Sequence, residues 1–195
     1  MSGKTQITTG RVRFSFCHIF EPRALEGSET KYSVTLLIKK SDDYTIKKVK
    51  AAIAAARENY AERNPGKKPP VKNTLHDGDG TRESGEEFGP ECKGCWVITV
   101  SSKTKPVIVD ADKLPITDPT EIYSGCYGRA IINAYAYDTA GNRGITFGLN
   151  GVMKLADGEP LAGAVVTDAD WDDGYEDWQE AGSDLPFDTD EDLLG

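Results

Sequence analysis

The sequence predicts a mainly β fold: short antiparallel strands closed into a small barrel, one inserted α-helix, and a disordered acidic C-terminal tail. Three observations predict it. Several segments alternate apolar and polar side chains, as half-buried strands do. A single segment repeats its apolar residues at helical spacing. Residues 168–195 hold twelve of the 32 acidic residues and none of the 23 basic ones, too much like charge for a packed element.

The elements follow in chain order. In residues 10–20 (GRVRFSFCHIF), Val12, Phe14 and Phe16 fall on one face, with Arg11, Arg13 and Ser15 on the other. Residues 31–39 place Tyr32, Val34, Leu36 and Ile38 on a common face, and a polar, turn-rich connection makes the two strands a long-looped hairpin. A helix then spans about 42–63. Ser41 or Asp42 caps it, Ile46, Val49, Ile53, Ala56 and Tyr60 form its apolar face, and Asn64-Pro65-Gly66 stops it.

Residues 64–91 are rich in Gly, Pro and charge, an irregular excursion of the kind functional loops make. Strands resume at 95–102 and 106–110, and 129–155 reads as a β-hairpin turning at Thr139–Arg143. Short strands of this sort avoid open edges by closing on themselves. The domains expected are therefore 1–167, the β domain, and 168–195, the tail.

Charge separates those two parts. The formal net charge is −9, yet 1–167 holds 20 acidic against 23 basic residues, so the body is about +3 and the tail −12. An acidic interaction tail on an anion-tolerant body fits that asymmetry. No signal-peptide pattern and no membrane-length apolar run is evident, so a cytoplasmic protein with no membrane partner is expected.

The hairpin strand RAIINAYAY carries chemistry. Ala130, Ile132, Ala134 and Ala136 share a small apolar face; Arg129, Ile131, Asn133, Tyr135 and Tyr137 share the other. The tyrosines either cover the barrel with their hydroxyls in water or form a stacking platform for nucleobases. On this strand alone the two readings are even. Neighbours favour the platform: Tyr123 and Tyr127 sit among glycines just before the strand, Lys103 and Lys105 share a polar loop, and Arg11, Arg13, Lys31 and Arg143 lie on or beside other strands.

Catalysis finds little support. The chain has two histidines, His18 and His76, no Gly-rich phosphate loop and no serine-nucleophile elbow, and His76-Asp77-Gly78-Asp79 reads as a turn. Cys92 and Cys95 form a lone CxxC, half of a zinc site without a second pair at finger spacing. Free thiols are expected there, and no metal or other cofactor.

Taken together, GRVRFSFCHIFEP, KYSVTLLIKKSD, SSKTKPVIVD, the stretch from Ile116 to Gly163 and the acidic end resemble the bacteriophage single-stranded DNA-binding proteins formerly grouped as a domain of unknown function. The resemblance covers roughly residues 8–165 in order, which is more specific than any one motif. It implies an OB-fold that coats single-stranded DNA (ssDNA) in phage replication, recombination and repair, in the host cytoplasm, with no catalytic activity.

The expected DNA contacts are then stacking on Trp96, Tyr123, Tyr127, Tyr135 and Tyr137, with phosphates on Arg11, Arg13, Lys31, Lys103, Lys105, Arg129 and Arg143. In the tail, Trp171, Tyr175 and Trp178 recur at helical spacing, and Leu185, Phe187, Asp190 and Asp192 follow, a pattern expected to bind replication and recombination partners and to compete with DNA. The rival reading is a protein–protein adaptor whose tail is the active element; a homo-oligomer stays open under either.

Overall fold

Apolar alternation along the chain becomes eight strands and one α-helix in a computed structural model that describes residues 4–24, 27–139 and 141–161. The strands are β1 (Gln6–Thr8), β2 (Val12–Arg23), β3 (Lys31–Lys39), β4 (Leu75–Asp77), β5 (Cys95–Ser102), β6 (Val107–Val109), β7 (Tyr127–Thr139) and β8 (Asn142–Ala156). The helix, α1 (Asp43–Arg63), lies between β3 and β4. The chain divides into two units, Met1–Ala162 and Gly163–Gly195. The described residues belong to the first, and the tail expected at 168–195, with Trp171, Tyr175, Trp178, Leu185, Phe187, Asp190 and Asp192, lies outside them.

The strands pair in the order β1-β7-β2-β3-β5-β8-β6, and an added β7–β8 ladder turns the middle of that list into a ring, β2-β3-β5-β8-β7-β2. This is the mainly β, OB-fold-like architecture with one helix that the sequence predicts. Closure is sparse. β2 meets β7 only at Val12↔Gly128 and Arg13↔Tyr127, and β5 meets β8 at Ser101↔Gly148. The β5–β8 closure is parallel rather than antiparallel, as is the β6–β8 pairing. The result is a closed sheet more than a regular barrel.

Inside the ring lie Phe14, Ile19, Val34, Leu36, Ile38, Ile98, Val100, Ile132, Ile145, Phe147 and Leu149, all nearly or fully buried. Burial of each such side chain contributes about 1.5–3 kcal/mol, which is why the alternation sets strand orientation. Gly128 is required where β7 crosses Phe14, because a Cβ there would lie 2.6 Å from the Phe14 ring. The helix begins where Asp42 Oδ1 accepts the Thr45 N–H at 3.0 Å, and it ends at Asn64, whose N–H donates to the Tyr60 carbonyl at 2.9 Å. It buries Ile46, Val49, Ala52, Ala56 and Tyr60, and Tyr60 reaches β7 by donating its hydroxyl proton to Asp138 at 3.0 Å.

One expectation is overturned on β2. Its pairing with β3 runs Arg13↔Leu37, Phe14↔Leu36, Ser15↔Thr35 and then His18↔Ser33, so β2 spends one extra residue against Val34. This β-bulge shifts the alternation by one. Val12 and Phe14 point inward as expected, but Phe16 points out and is 56% exposed, while Cys17 and Ile19 take over the core side. The 64–91 excursion is also more ordered than a loop. It contributes β4, which pairs with β5, and a 3₁₀ turn at Pro90–Cys92.

Candidate nucleic-acid interface

The outer face of β2, β3 and β5 forms the floor of a groove. Cross-strand register sets Ser33 beside Ser101, Thr35 beside Thr99 and Leu37 beside Val97, all pointing away from the core. The Thr35 and Thr99 hydroxyls hydrogen-bond at 3.0 Å, so the floor centre is polar but satisfied. The excursion folds back over one end. There Leu37, Cys92 and Val97 make a second small apolar cluster, with Phe88, Cys95 and Leu161 packed on it.

Lys40 pins the excursion through ion pairs to Asp77 at 2.7 Å and Asp79 at 2.6 Å. Gly78 N–H donates to Cys95 O at 2.9 Å, and Gly94 N–H donates to the Asp79 carboxylate at 3.0 Å. The Lys40 ammonium holds both aspartates below their ordinary carboxylate range.

Two hollows open on this floor and share Phe16, Thr35 and Thr99. The first, ≈560 Å³, gathers His76, Phe88 and Tyr137 with Lys72 and Arg82. His76 and Phe88 have ring centroids 6.2 Å apart, and the Arg82 guanidinium lies 5.2 Å from the Phe88 centroid. The second, ≈600 Å³, gathers His18, Arg23 and Lys31 with Ser33, Ser101 and Glu29. Tyr137 lies over Gly144 of β8, where any Cβ would come within 2.6 Å of its hydroxyl; glycine there lets the ring settle on the strand.

Carboxylates occupy two of the lysines. Glu83 pairs with Lys72 at 3.0 Å and Glu29 pairs with Lys103 at 2.8 Å. Each lysine holds its glutamate below the ordinary carboxylate range, chiefly by hydrogen bonding, and is itself raised. The pairs are exposed, so they do little for stability and a phosphate can replace the carboxylate.

The expected contact residues divide. Lys31 and Tyr137 line the groove. Tyr135, 43% exposed, is the next outward residue on the same strand. Arg143 is exposed at the start of β8, opposite Asp138, and Lys105 lies with its ammonium 5.6 Å from the Phe20 centroid.

Arg11, Arg13 and Tyr127 form a separate cluster in a hollow of ≈750 Å³ that Leu37, Lys39, Tyr44 and Lys93 also line. Both guanidinium groups lie against the Tyr127 ring, at 4.8 Å and 5.6 Å, and Arg13 also donates to the carbonyls of Gly125 at 3.1 Å and Glu159 at 2.6 Å.

Three of the residues serve the fold. Tyr123 accepts the Gly158 N–H at 3.1 Å and lies 2.9 Å from the Gly158 carbonyl. Arg129 donates to Thr9 O at 2.9 Å. Trp96 packs on the core side, with the Lys40 and Lys50 ammonium groups 5.5 Å and 5.9 Å from its ring centroid.

Sequence reasoning missed Phe16, His18, Arg23, Lys72, Arg82 and Phe88. The signal for the last three was the excursion itself, long and charged between regular elements; the bulge hid the first.

The four cysteines are free. Burial raises Cys17 to about 12, and burial is also the main cause that lifts Cys92, Cys95 and Cys126, which makes them poor nucleophiles. Among the described residues no group of three or more His, Cys, Asp or Glu side chains is placed to hold a metal ion, and Cys92 and Cys95 gain no further ligands from the fold. Among the same residues no helix is long and apolar enough to cross a membrane.

Comparison with known proteins places this geometry in context. The family model described as Enterobacter phage Enc34, ssDNA-binding protein, matches residues 5–182. Protein p50 of Acyrthosiphon pisum secondary endosymbiont phage 1 is 30% identical over 170 residues, spanning 83% of this chain and 89% of the relative. The solved single-stranded DNA-binding protein from bacteriophage Enc34 in complex with ssDNA superposes with a TM-score of 0.69 at 30% identity, over 81% of this chain and 90% of that one. The single-stranded DNA-binding protein gp2.5 of bacteriophage T7 shares the fold, with a TM-score of 0.52 at 19% identity over 85% of this chain and 99% of that one.

Proposed function

The chain belongs to the phage Enc34 single-stranded DNA-binding protein family, and from that premise we propose that it coats and protects ssDNA, without turnover, by holding the strand in the groove on β2, β3 and β5. The observation that carries the reading is the groove's composition. Phe16, Phe88 and Tyr137 share the two hollows with Lys72, Arg82, Lys31 and Arg23, over a floor of small hydroxyl side chains. Aromatic faces accept any base and cations track any phosphate, so the interface is sequence-tolerant. Main-chain features specific to one base are not needed.

Each stacked base contributes about 1–3 kcal/mol, and each phosphate contact lowers the slope of log affinity against log salt by about 0.7. Fluorescence anisotropy with oligo-dT over a salt series tests this. Residues 1–167 should bind with affinity that falls as salt rises; salt-independent binding, or none, overturns the reading.

The tail completes the proposal. Its twelve carboxylates, interspersed with Trp171, Tyr175, Trp178, Leu185 and Phe187, imitate phosphates interspersed with bases. It competes with DNA for the basic body and, once displaced, recruits replication or recombination proteins, with Asp190 and Asp192 in its final acidic run. The setting is the host cytoplasm. Deleting 168–195 should tighten DNA binding at low salt, and an unchanged affinity would remove the competition while leaving recruitment standing.

A further inference from the structure

We propose that Phe16 is a wedge: its ring inserts between two neighbouring bases of the bound strand, one held in each hollow, and the protein keeps a strained backbone at this position for that purpose. The inference rests on the ssDNA reading above and deepens it by assigning a residue that the sequence pattern places in the core.

Three observations carry it. The first is cost. Phe16 has φ 47°, in the left-handed region that L residues avoid, at a β-bulge position where glycine is the usual occupant. The same residue exposes 56% of an apolar surface to water. Glycine or asparagine would remove both penalties, and strained residues of this kind concentrate at ligand clamps.

The second is support. Ser15 before it is buried, the Cys17 N–H after it approaches Ser124 Oγ at 3.4 Å, and Ile19 is locked in the core. The flanking chain therefore forces the conformation and aims the ring outward.

The third is position. Phe16 lines both hollows, with Tyr137, Phe88, Lys72 and Arg82 on one side and Arg23, Lys31 and His18 on the other. A phenyl ring has two faces to stack on, and Phe16 lines two hollows, each with its own cations. A base stacks on each face while the backbone bends around the ring, so the two bases lose their mutual stacking. A single strand yields this at the cost of one stacking step; a duplex must also give up pairing. The wedge thus favours single strands over duplexes.

The test uses the full chain with Phe16→Gly, Phe16→Asn, Phe16→Ala and Phe16→Trp. Phe16→Gly and Phe16→Asn accept the backbone, so each should melt at or above the temperature of Phe16→Ala, yet weaken oligo-dT binding about tenfold or more. Phe16→Trp should hold affinity within about threefold of the unaltered chain. An oligonucleotide carrying an adjacent pair of 2-aminopurines, stepped along its length, should lose its exciton circular dichroism at one register on the unaltered chain and keep it on Phe16→Gly. Unaltered affinity in Phe16→Gly, or an exciton signal retained at every register on the unaltered chain, overturns the wedge alone. Failure of the unaltered chain to bind any oligonucleotide overturns the ssDNA reading with it.

Discussion

The two ends of the outer face are built from the same kinds of residue and differ in how far those residues are already committed. At the Arg11 end, Tyr127 is covered by two guanidinium groups, and Arg13 spends its donors on the carbonyls of Gly125 and Glu159. At the Phe16 end, Phe16 and Tyr137 border hollows, Phe88 meets the single guanidinium of Arg82, and Lys72 and Lys103 are held by exposed carboxylates that a phosphate can displace. Chemistry-bearing residue types therefore do not make a binding surface by themselves. A side chain binds a ligand when the fold has left its donors or its ring face unspent.

The sharpest way to break this contrast is to cut one tyrosine from each class. Tyr137→Ala should weaken oligo-dT binding by about 1–3 kcal/mol, measured by anisotropy, with little loss of melting temperature. Tyr123→Phe should do the reverse. It leaves the Gly158 N–H without its acceptor, costs about 1 kcal/mol of stability, and leaves the affinity of the folded protein unchanged.

Cations give a smaller version of the same test. Arg82→Ala or Lys31→Ala should make the salt slope shallower by about 0.7 each, whereas Arg13→Ala should mainly lower the melting temperature. Smaller again is the release of a held lysine. Glu29→Gln frees Lys103 and should raise affinity about two- to fivefold at low salt, an effect that vanishes as salt screens the pair.

The smallest effect is in pH. Lys103 lowers the pKa of Glu29, so the pairing is present above the ordinary glutamate range and is lost as pH falls through the lowered value. In an NMR titration the Glu29 midpoint should lie below that of an ordinary glutamate and return to it in Lys103→Ala.

How much of this was legible in the sequence depends on how local its cause is. Helix α1 could be read to within a residue because Asp42 and the Asn64-Pro65-Gly66 break are local signals. The β7–β8 hairpin could be read because its alternation is long and its faces differ in size. β1 and β4 could not, since each is three residues held by pairing to a distant strand rather than by its own pattern.

The site was half legible. Tyr137 and Lys31 follow from alternation on regular strands. Lys72, Arg82 and Phe88 reach the groove only because Lys40, far away in sequence, pins Asp77 and Asp79 and folds the excursion back over β5. Phe16 was misread because a bulge adds one residue without an obligatory marker. The only trace is that the core parity of Val12 and Phe14 passes to Cys17 and Ile19.

Photocrosslinking the full chain to an oligonucleotide bearing 5-iododeoxyuridine, followed by mass-spectrometric assignment of the attached residues, tests the central claim most directly. The groove reading predicts adducts on Phe16, Phe88 and Tyr137. Adducts confined to Tyr44, Tyr127 or Trp96 would contradict it and move the interface to another part of the molecule.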